Sequence, residues 1–293
     1  LVAQRDAALA DPKPLYDLFA EAIAAAPDDE TRLAICVARA GLAAHGMALA
    51  HTHVRLNSTQ VNNALRQRLG ITAASDDPAQ RRGLLATINA ALAEVEPQPV
   101  DFGALLAEQA SATRLMMTVA QIGKYIDSTT PVRFLIAETE TGYTLLSALW
   151  LARRLGIAHL VEISPLFETA EALERGDRVL EEALRSPAWR DYLRQHGRLC
   201  LQFGYSDSGR YVGQLAASYL AERLKLRLLD QLRRHGLGHI ELVFFDTHGD
   251  SIGRGGHPTS LADRFAYLSP PTVRGALDRA GRYRGAADRI LFD

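Results

Sequence analysis

From residue 132 to residue 246 the chain alternates β-type runs with helix-type runs, and this rhythm restricts the fold more than any single residue. A strand at 132–138 precedes a helix at 143–155, and a strand at 159–163 precedes a helix at 170–184. A strand at 199–204 precedes a long helix at 212–235, and a strand at 240–246 ends in a Gly-rich loop. The short runs are crowded with β-branched and aromatic residues, whereas the longer ones repeat apolar residues at helical spacing. Repeated strand–helix–strand units imply parallel strands and right-handed crossovers. An open doubly wound sheet and a (β/α)8 barrel both fit. With one more strand at 48–56 the count is five, too few to close an eight-stranded barrel.

The first 47 residues contain two helical patterns, one through Ala20, Ile23 and Ala24 and one through Leu33, Cys36 and Val37. Asp29 is placed to cap the second, over 30–46. Ser58 is placed to cap a helix reaching Leu69, residues 72–77 form a polar linker, and helices are expected over 78–94 and 102–125. The domain division expected is an N-terminal helical segment, 1–47, followed by a partial (β/α) barrel, 48–293, that carries the active-site loops.

Composition narrows the partners. At 293 residues the chain can bury a sizeable core. A net charge of −1 offers no electrostatic case for nucleic acid or an anionic membrane surface. The basic residues over 223–234 are expected on the wet face of a helix. Cys36 and Cys200 stand in apolar surroundings without metal-type or redox-type spacing, so they are expected as buried thiols of a cytoplasmic protein. No apolar run approaches a membrane span, and nothing at the start has the pattern of a signal peptide. The chain opens on Leu1, so a processed or partial chain is expected.

Three strings follow strand ends: Ser164-Pro165-Leu166-Phe167-Glu168-Thr169, Gly204-Tyr205-Ser206-Asp207-Ser208-Gly209, and Ser251-Ile252-Gly253-Arg254-Gly255-Gly256-His257-Pro258. The first two each place one acid, Glu168 or Asp207, between a strand and a helix. In the third, glycines allow close approach of the main chain, and Arg254 adds a permanent charge suited to phosphate or carboxylate. Such a loop can form a small anion site or a plain surface turn.

Together the strings resemble the phosphoenolpyruvate carboxylase family. That family carries Pro-Leu-Phe-Glu-Thr, Gly-Tyr-Ser-Asp-Ser and a doubled Arg-Gly-Gly loop in this order, and the first two are matched letter for letter. Thr52-His53-Val54-Arg55 is similar to the strand that bears an active-site arginine in the family. The resemblance spans roughly residues 50–275 and implies part of a TIM-type (β/α)8 barrel with extra helices, α/β in class and mostly helical overall. It implies carboxylation of phosphoenolpyruvate by bicarbonate to give oxaloacetate and phosphate, through carboxyphosphate and an enolate, in a cytoplasmic homo-oligomer that is a tetramer in the family. Biotin is not implied.

By the same resemblance, Glu168 and Asp207 bind Mg²⁺ or Mn²⁺; the residues alone also fit a helix N-cap or a first-turn acid. Arg254 and Arg55 become catalytic cations, although Arg55 also suits a structural ion pair. Gly253, Gly255, Gly256, Arg210 and His248 fall at substrate-binding positions. Glu138 and Glu140 stand where the family has smaller polar residues, as extra ligands or as a change of pocket charge. His51 and His53 share a strand face near a barrel mouth.

The chain also departs from the pattern. The loop's first arginine is His248, one of its glycines is Asp250, and the usual Lys-Asp after Tyr-Ser-Asp-Ser is Arg210-Tyr211. The family's Thr-Ala-His-Pro-Thr-Glu string, which holds its catalytic histidine, is absent, as are further phosphate-binding arginines. The alternative is therefore an inactive or repurposed homologue, either a regulatory or binding partner or another metal-dependent lyase.

Overall fold

A computed structural model describes residues 8–48, 51–74, 77–246 and 271–279. Two helices, α1 (Lys13–Ala25) and α2 (Asp29–His45), lead into β1 (His53–Asn57) and α3 (Ser58–Leu69). Then come α4 (Arg81–Glu94), α5 (Phe102–Ala107), α6 (Ser111–Tyr125), β2 (Val132–Ala137) and α7 (Gly142–Arg154). They are followed by β3 (Val161–Phe167), α8 (Ala170–Leu184), α9 (Pro187–His196) and β4 (Arg198–Phe203). The last described elements are α10 (Tyr205–Val212), α11 (Gln214–Arg234), β5 (Glu241–Asp246) and α12 (Pro271–Arg279).

All five strands are parallel and lie in the order β1-β2-β3-β4-β5. A doubly wound sheet reverses its strand order at a switch point. Among the five described strands there is no such reversal. The strands have two chemically distinct faces, as period-2 alternation requires. Phe134, Ile136, Val161, Ile163, Phe167, Leu199, Leu201 and Phe203 join the helices in the main apolar core, whereas Cys200, Val243 and Phe245 form a separate small cluster.

The second face is concave. The His53 ring on β1 lies 6.4 Å from the Phe245 ring on β5, although four flat strand spacings would separate those strands by about 19 Å. The ladders pair His53 with Arg133, Arg133 with Glu162 and Arg198 with Glu241, and the β3–β4 offset set by Leu166↔Gln202 aligns Glu162 with Arg198. Phe245 lies four residues further along β5. The side chains that meet are thus staggered by about one residue per strand. Within this concavity Glu162 takes Arg133 at 2.5 Å and Arg198 at 3.3 Å. Burial pushes the Glu162 carboxyl up, but the two guanidiniums overcome it and hold it below its ordinary value.

Local chemistry moves several boundaries. The α2 cap is Asp28, whose side chain accepts from the Thr31 amide, rather than Asp29. The α3 cap is Asn57, in a capping box with Gln60, rather than Ser58. The expected helix at 102–125 is broken after α5, where the Arg114 Nε donates to the Glu108 carbonyl at 2.8 Å. The expected helix at 212–235 is α11, which starts at Gln214; Gly213 at φ +84°, a conformation that glycine tolerates, separates it from α10, which was not anticipated. Helix α9 was not anticipated. β3 pairs with β4 only at Leu166↔Gln202 and Phe167↔Phe203. Lower down, the Tyr192 hydroxyl of α9 accepts from the Ile163 amide and donates to the Val161 carbonyl, each at 2.8 Å.

Other expectations need correction. The two expected N-terminal helices are present, yet neither has a buried residue, and Leu18, Leu33 and Val37 are exposed. Cys36 is half-buried, whereas Cys200 is buried, its thiol pushed up to about 12 by burial and then by the Glu162 charge. Within the basic run Lys225 is buried, its ammonium 5.1 Å from the Phe203 and Phe244 rings. Arg223 and Arg227 pair with Glu174 and Asp177 of α8. No helix among the described residues is long and apolar enough to cross a membrane.

Candidate functional site

The C-terminal ends of β1 to β4 bring four sequence candidates to one side of the sheet. Glu168 follows β3 directly and is mostly buried, while Asp207 occupies the first turn of α10, just after β4. Arg55 reaches across from β1, with Nη2 3.7 Å from Glu168 Oε2. Arg210 is exposed on α10, with Nη1 3.7 Å from Asp207 Oδ1. Each candidate metal ligand therefore faces a candidate anion-binding arginine. The ion pair open to Arg55 on sequence grounds is formed, with a carboxylate of the site itself.

The two letter-perfect strings position these acids. Pro165, Leu166 and Phe167 belong to buried β3, and Thr169 caps α8 by accepting from the Ala172 amide. Glu168 is therefore not the cap. In the second string a Cβ at Gly204 would lie 2.6 Å from the Glu168 Cβ, so only glycine lets the ends of β3 and β4 come this close. Buried Ser208 donates back to the Gly204 carbonyl at 2.9 Å, which leaves Asp207 as the partly exposed acid of a locked turn. Asp207 keeps its place as a first-turn acid.

In the sequence Glu138 stands out only as a ligand or a charge. Its backbone proves equally informative. Glu138 has φ +56°, the one positive value outside glycine among the described residues. In this conformation its amide donates to Glu168 Oε1 at 3.3 Å. Burial raises the Glu168 pKa, the Glu138 amide and Arg55 oppose the rise, and the charges of Asp207 and Glu138 add to it. No glycine or asparagine marks position 138, so nothing in the sequence signalled the left-handed turn.

A cation brought to Glu168 would relieve that crowding of negative charge. Among the described residues no group of three or more His, Cys, Asp or Glu side chains is arranged to hold a metal ion. A hard cation that keeps water and substrate oxygens as ligands needs only one or two carboxylates. Glu168 and Asp207 fit that donor set. His53 starts β1 and therefore sits at the opposite strand end from Glu168, not at the mouth as expected. His248, Gly253, Arg254, Gly255 and Gly256 lie outside the described residues.

Residues 29–276 match the phosphoenolpyruvate carboxylase family. A phosphoenolpyruvate carboxylase of Xanthomonas euvesicatoria pv. vesicatoria is 32% identical over 228 residues, 74% of this chain and 24% of its own length. Another, from Roseiflexus castenholzii, is 35% identical over 134 residues, 44% of this chain and 14% of its own length. The counterpart from Corynebacterium diphtheriae is 32% identical over 171 residues, 56% of this chain and 18% of its own length. The chain thus spans a quarter or less of each of these relatives. With a match over most of its length, and with the family's two strings shaping the turns that carry Glu168 and Asp207, the chain belongs to the phosphoenolpyruvate carboxylase family.

Proposed function

We propose that this chain is the metal- and substrate-holding part of a phosphoenolpyruvate carboxylase, which joins bicarbonate to phosphoenolpyruvate and yields oxaloacetate and phosphate. The observation that carries the reading is the convergence of Arg55 from β1 with Glu168 after β3 and Asp207 after β4, with Arg55 3.7 Å from Glu168. The strand order and the stagger of about one residue per strand support a partial (β/α)8 barrel, since eight such steps give the shear of that fold. Barrels of this kind keep their active sites at the strand C-terminal ends.

In this reading Glu168 and Asp207 hold Mg²⁺ or Mn²⁺ beside the substrate. When bound, the cation supplies Lewis-acid stabilisation of phosphoryl and enolate oxygens. Arg55, 3.7 Å from Glu168, would face the anionic groups of the substrate, and Arg210 and His248 would add positive or hydrogen-bonding groups to the anion site. Gly253, Gly255 and Gly256 would let Arg254 act on the enolate and exclude water, a role that the family resemblance implies. The protein would work without biotin, as a homo-oligomer in the cytoplasm, with 1–47 as a helical segment separate from the barrel part.

The test uses the natural full-length gene product with bicarbonate, phosphoenolpyruvate and Mn²⁺, coupled to malate dehydrogenase. Oxaloacetate formation is expected. Glu168→Gln is expected to weaken Mn²⁺ binding, read by electron paramagnetic resonance as well as by rate, without shifting the unfolding midpoint. A wild-type protein that binds Mn²⁺ but makes no oxaloacetate would replace this reading with the repurposed homologue.

A further inference from the structure

A cavity of about 390 Å³ opens at the N-terminal end of the strands, away from Glu168 and Asp207. Its size lies within the roughly 300–1,000 Å³ of small-molecule sites. The walls come from the segment between α4 and α5, from α6, and from the turn between α7 and β3. Pro97, Pro99, Ile157 and Leu160 supply apolar surface, Lys124 and His159 supply basic groups, and no Asp or Glu lines the cavity. Among the described residues neither Lys124 nor His159 forms an ion pair; the Lys124 ammonium rests 4.9 Å from the Tyr125 ring.

The proline-bearing wall is held in place. The Gln98 amide donates to the Arg154 carbonyl at 2.6 Å, and Arg154 Nη2 donates to Gln98 Oε1 at 2.7 Å. Gln121 Nε2 donates to the Val100 carbonyl at 3.0 Å, while its buried Oε1 has no hydrogen-bond partner. A wall fixed by backbone and side-chain bonds costs little further ordering when a ligand arrives.

We infer that this cavity binds a small carboxylate with a flat apolar body, such as an aromatic acid. The body packs against the two proline rings, Ile157 and Leu160, and the carboxylate meets Lys124 with His159 nearby. A phosphorylated three-carbon acid suits it poorly, because burying several charges against apolar walls is costly. The site is therefore distinct from the proposed catalytic one, and its test does not depend on carboxylation.

Isothermal titration of the natural full-length protein with 2-naphthoate tests the inference, with the neutral 2-naphthalenemethanol as control. Binding of 2-naphthoate below millimolar concentration is expected, with the alcohol several-fold weaker. Lys124→Met, at an exposed position, should weaken the acid by about fivefold, as the loss of one partly exposed ion pair predicts, and leave the alcohol unchanged. Ala120→Phe, which fills the cavity, should abolish both. Should that variant fail to fold, the Lys124→Met comparison decides alone. No binding by the wild type, equal binding of acid and alcohol, or an unaffected Lys124→Met would each overturn the proposal.

Discussion

Gly204 leaves no space for a side chain, because its Cβ would meet the Glu168 Cβ at 2.6 Å. Gly204→Ala should therefore displace Glu168 and weaken Mn²⁺ binding by about tenfold, the lower end of what misplacing a metal-site carboxylate costs. A Mn²⁺ titration followed by electron paramagnetic resonance checks this. Glu138 makes the opposite case. Its left-handed backbone costs a non-glycine residue about 1–2 kcal/mol. Glu138→Gly keeps the amide that faces Glu168 and should stabilise the fold by roughly 0.5–1 kcal/mol after glycine's own entropy, read from urea unfolding. At this scale the sequence displays letters but not dihedrals. Gly204, Asp207 and Ser208 were visible as a string, whereas the turn at Glu138 has no compositional mark.

Among the elements, the connections that matter most are held by single buried side chains. Asp127, 2% exposed, accepts from the amides of Met47, Ala48, Thr129 and Thr130 and so ties the approach to β1 onto the approach to β2. Burial pushes its carboxyl up, yet the Thr130 amide and hydroxyl, with the Thr129 and Ala48 amides, hold it well below the ordinary 3.8. Because the folded-state pKa is depressed, this stabilisation is complete above about pH 4 and is lost as pH falls through the folded value. Asp127→Ala should cost about 2–3 kcal/mol at pH 7, from several buried amides left unpaired, and the loss should shrink in acid. Urea unfolding at stepped pH measures it. Tyr192→Phe likewise strands the Ile163 amide and the Val161 carbonyl and should cost about 2–3 kcal/mol. Helix α8 was legible to the residue, because Thr169 caps it and its apolar stripe is regular. Helix α9 and the short α10, set off from α11 at Gly213, were not. Nothing local says that Tyr192 substitutes for a missing strand ladder, and a glycine inside a periodic pattern does not announce its φ.

Across the whole molecule, five sequential parallel strands curl far enough for His53 to meet Phe245. The concave face they make is polar in a way the sequence pattern did not reveal. Arg133 and Glu162 are single charges inside otherwise apolar strand runs, and they are recognisable as partners only once β2 and β3 are in register. Residues brought together by crossovers leave no trace in local periodicity, whereas the strand count and the strand-end strings do. The same geometry limits what these residues can catalyse by themselves. Glu168, Asp207 and Arg55 occupy one rim of the concavity, and no Thr-Ala-His-Pro-Thr-Glu string supplies the family's histidine. Positioning both reactants is worth about 7–11 kcal/mol of a barrier when the full constellation is present. The 293 residues alone should therefore bind Mn²⁺ yet release no oxaloacetate above the uncatalysed background in a malate dehydrogenase-coupled assay. Under the proposed reading, a gene product that also carries the histidine string should turn over under the same conditions. Carboxylation by the 293 residues alone would mean that the rim formed by β1 to β4, with the Gly-rich loop, already holds every group the reaction needs.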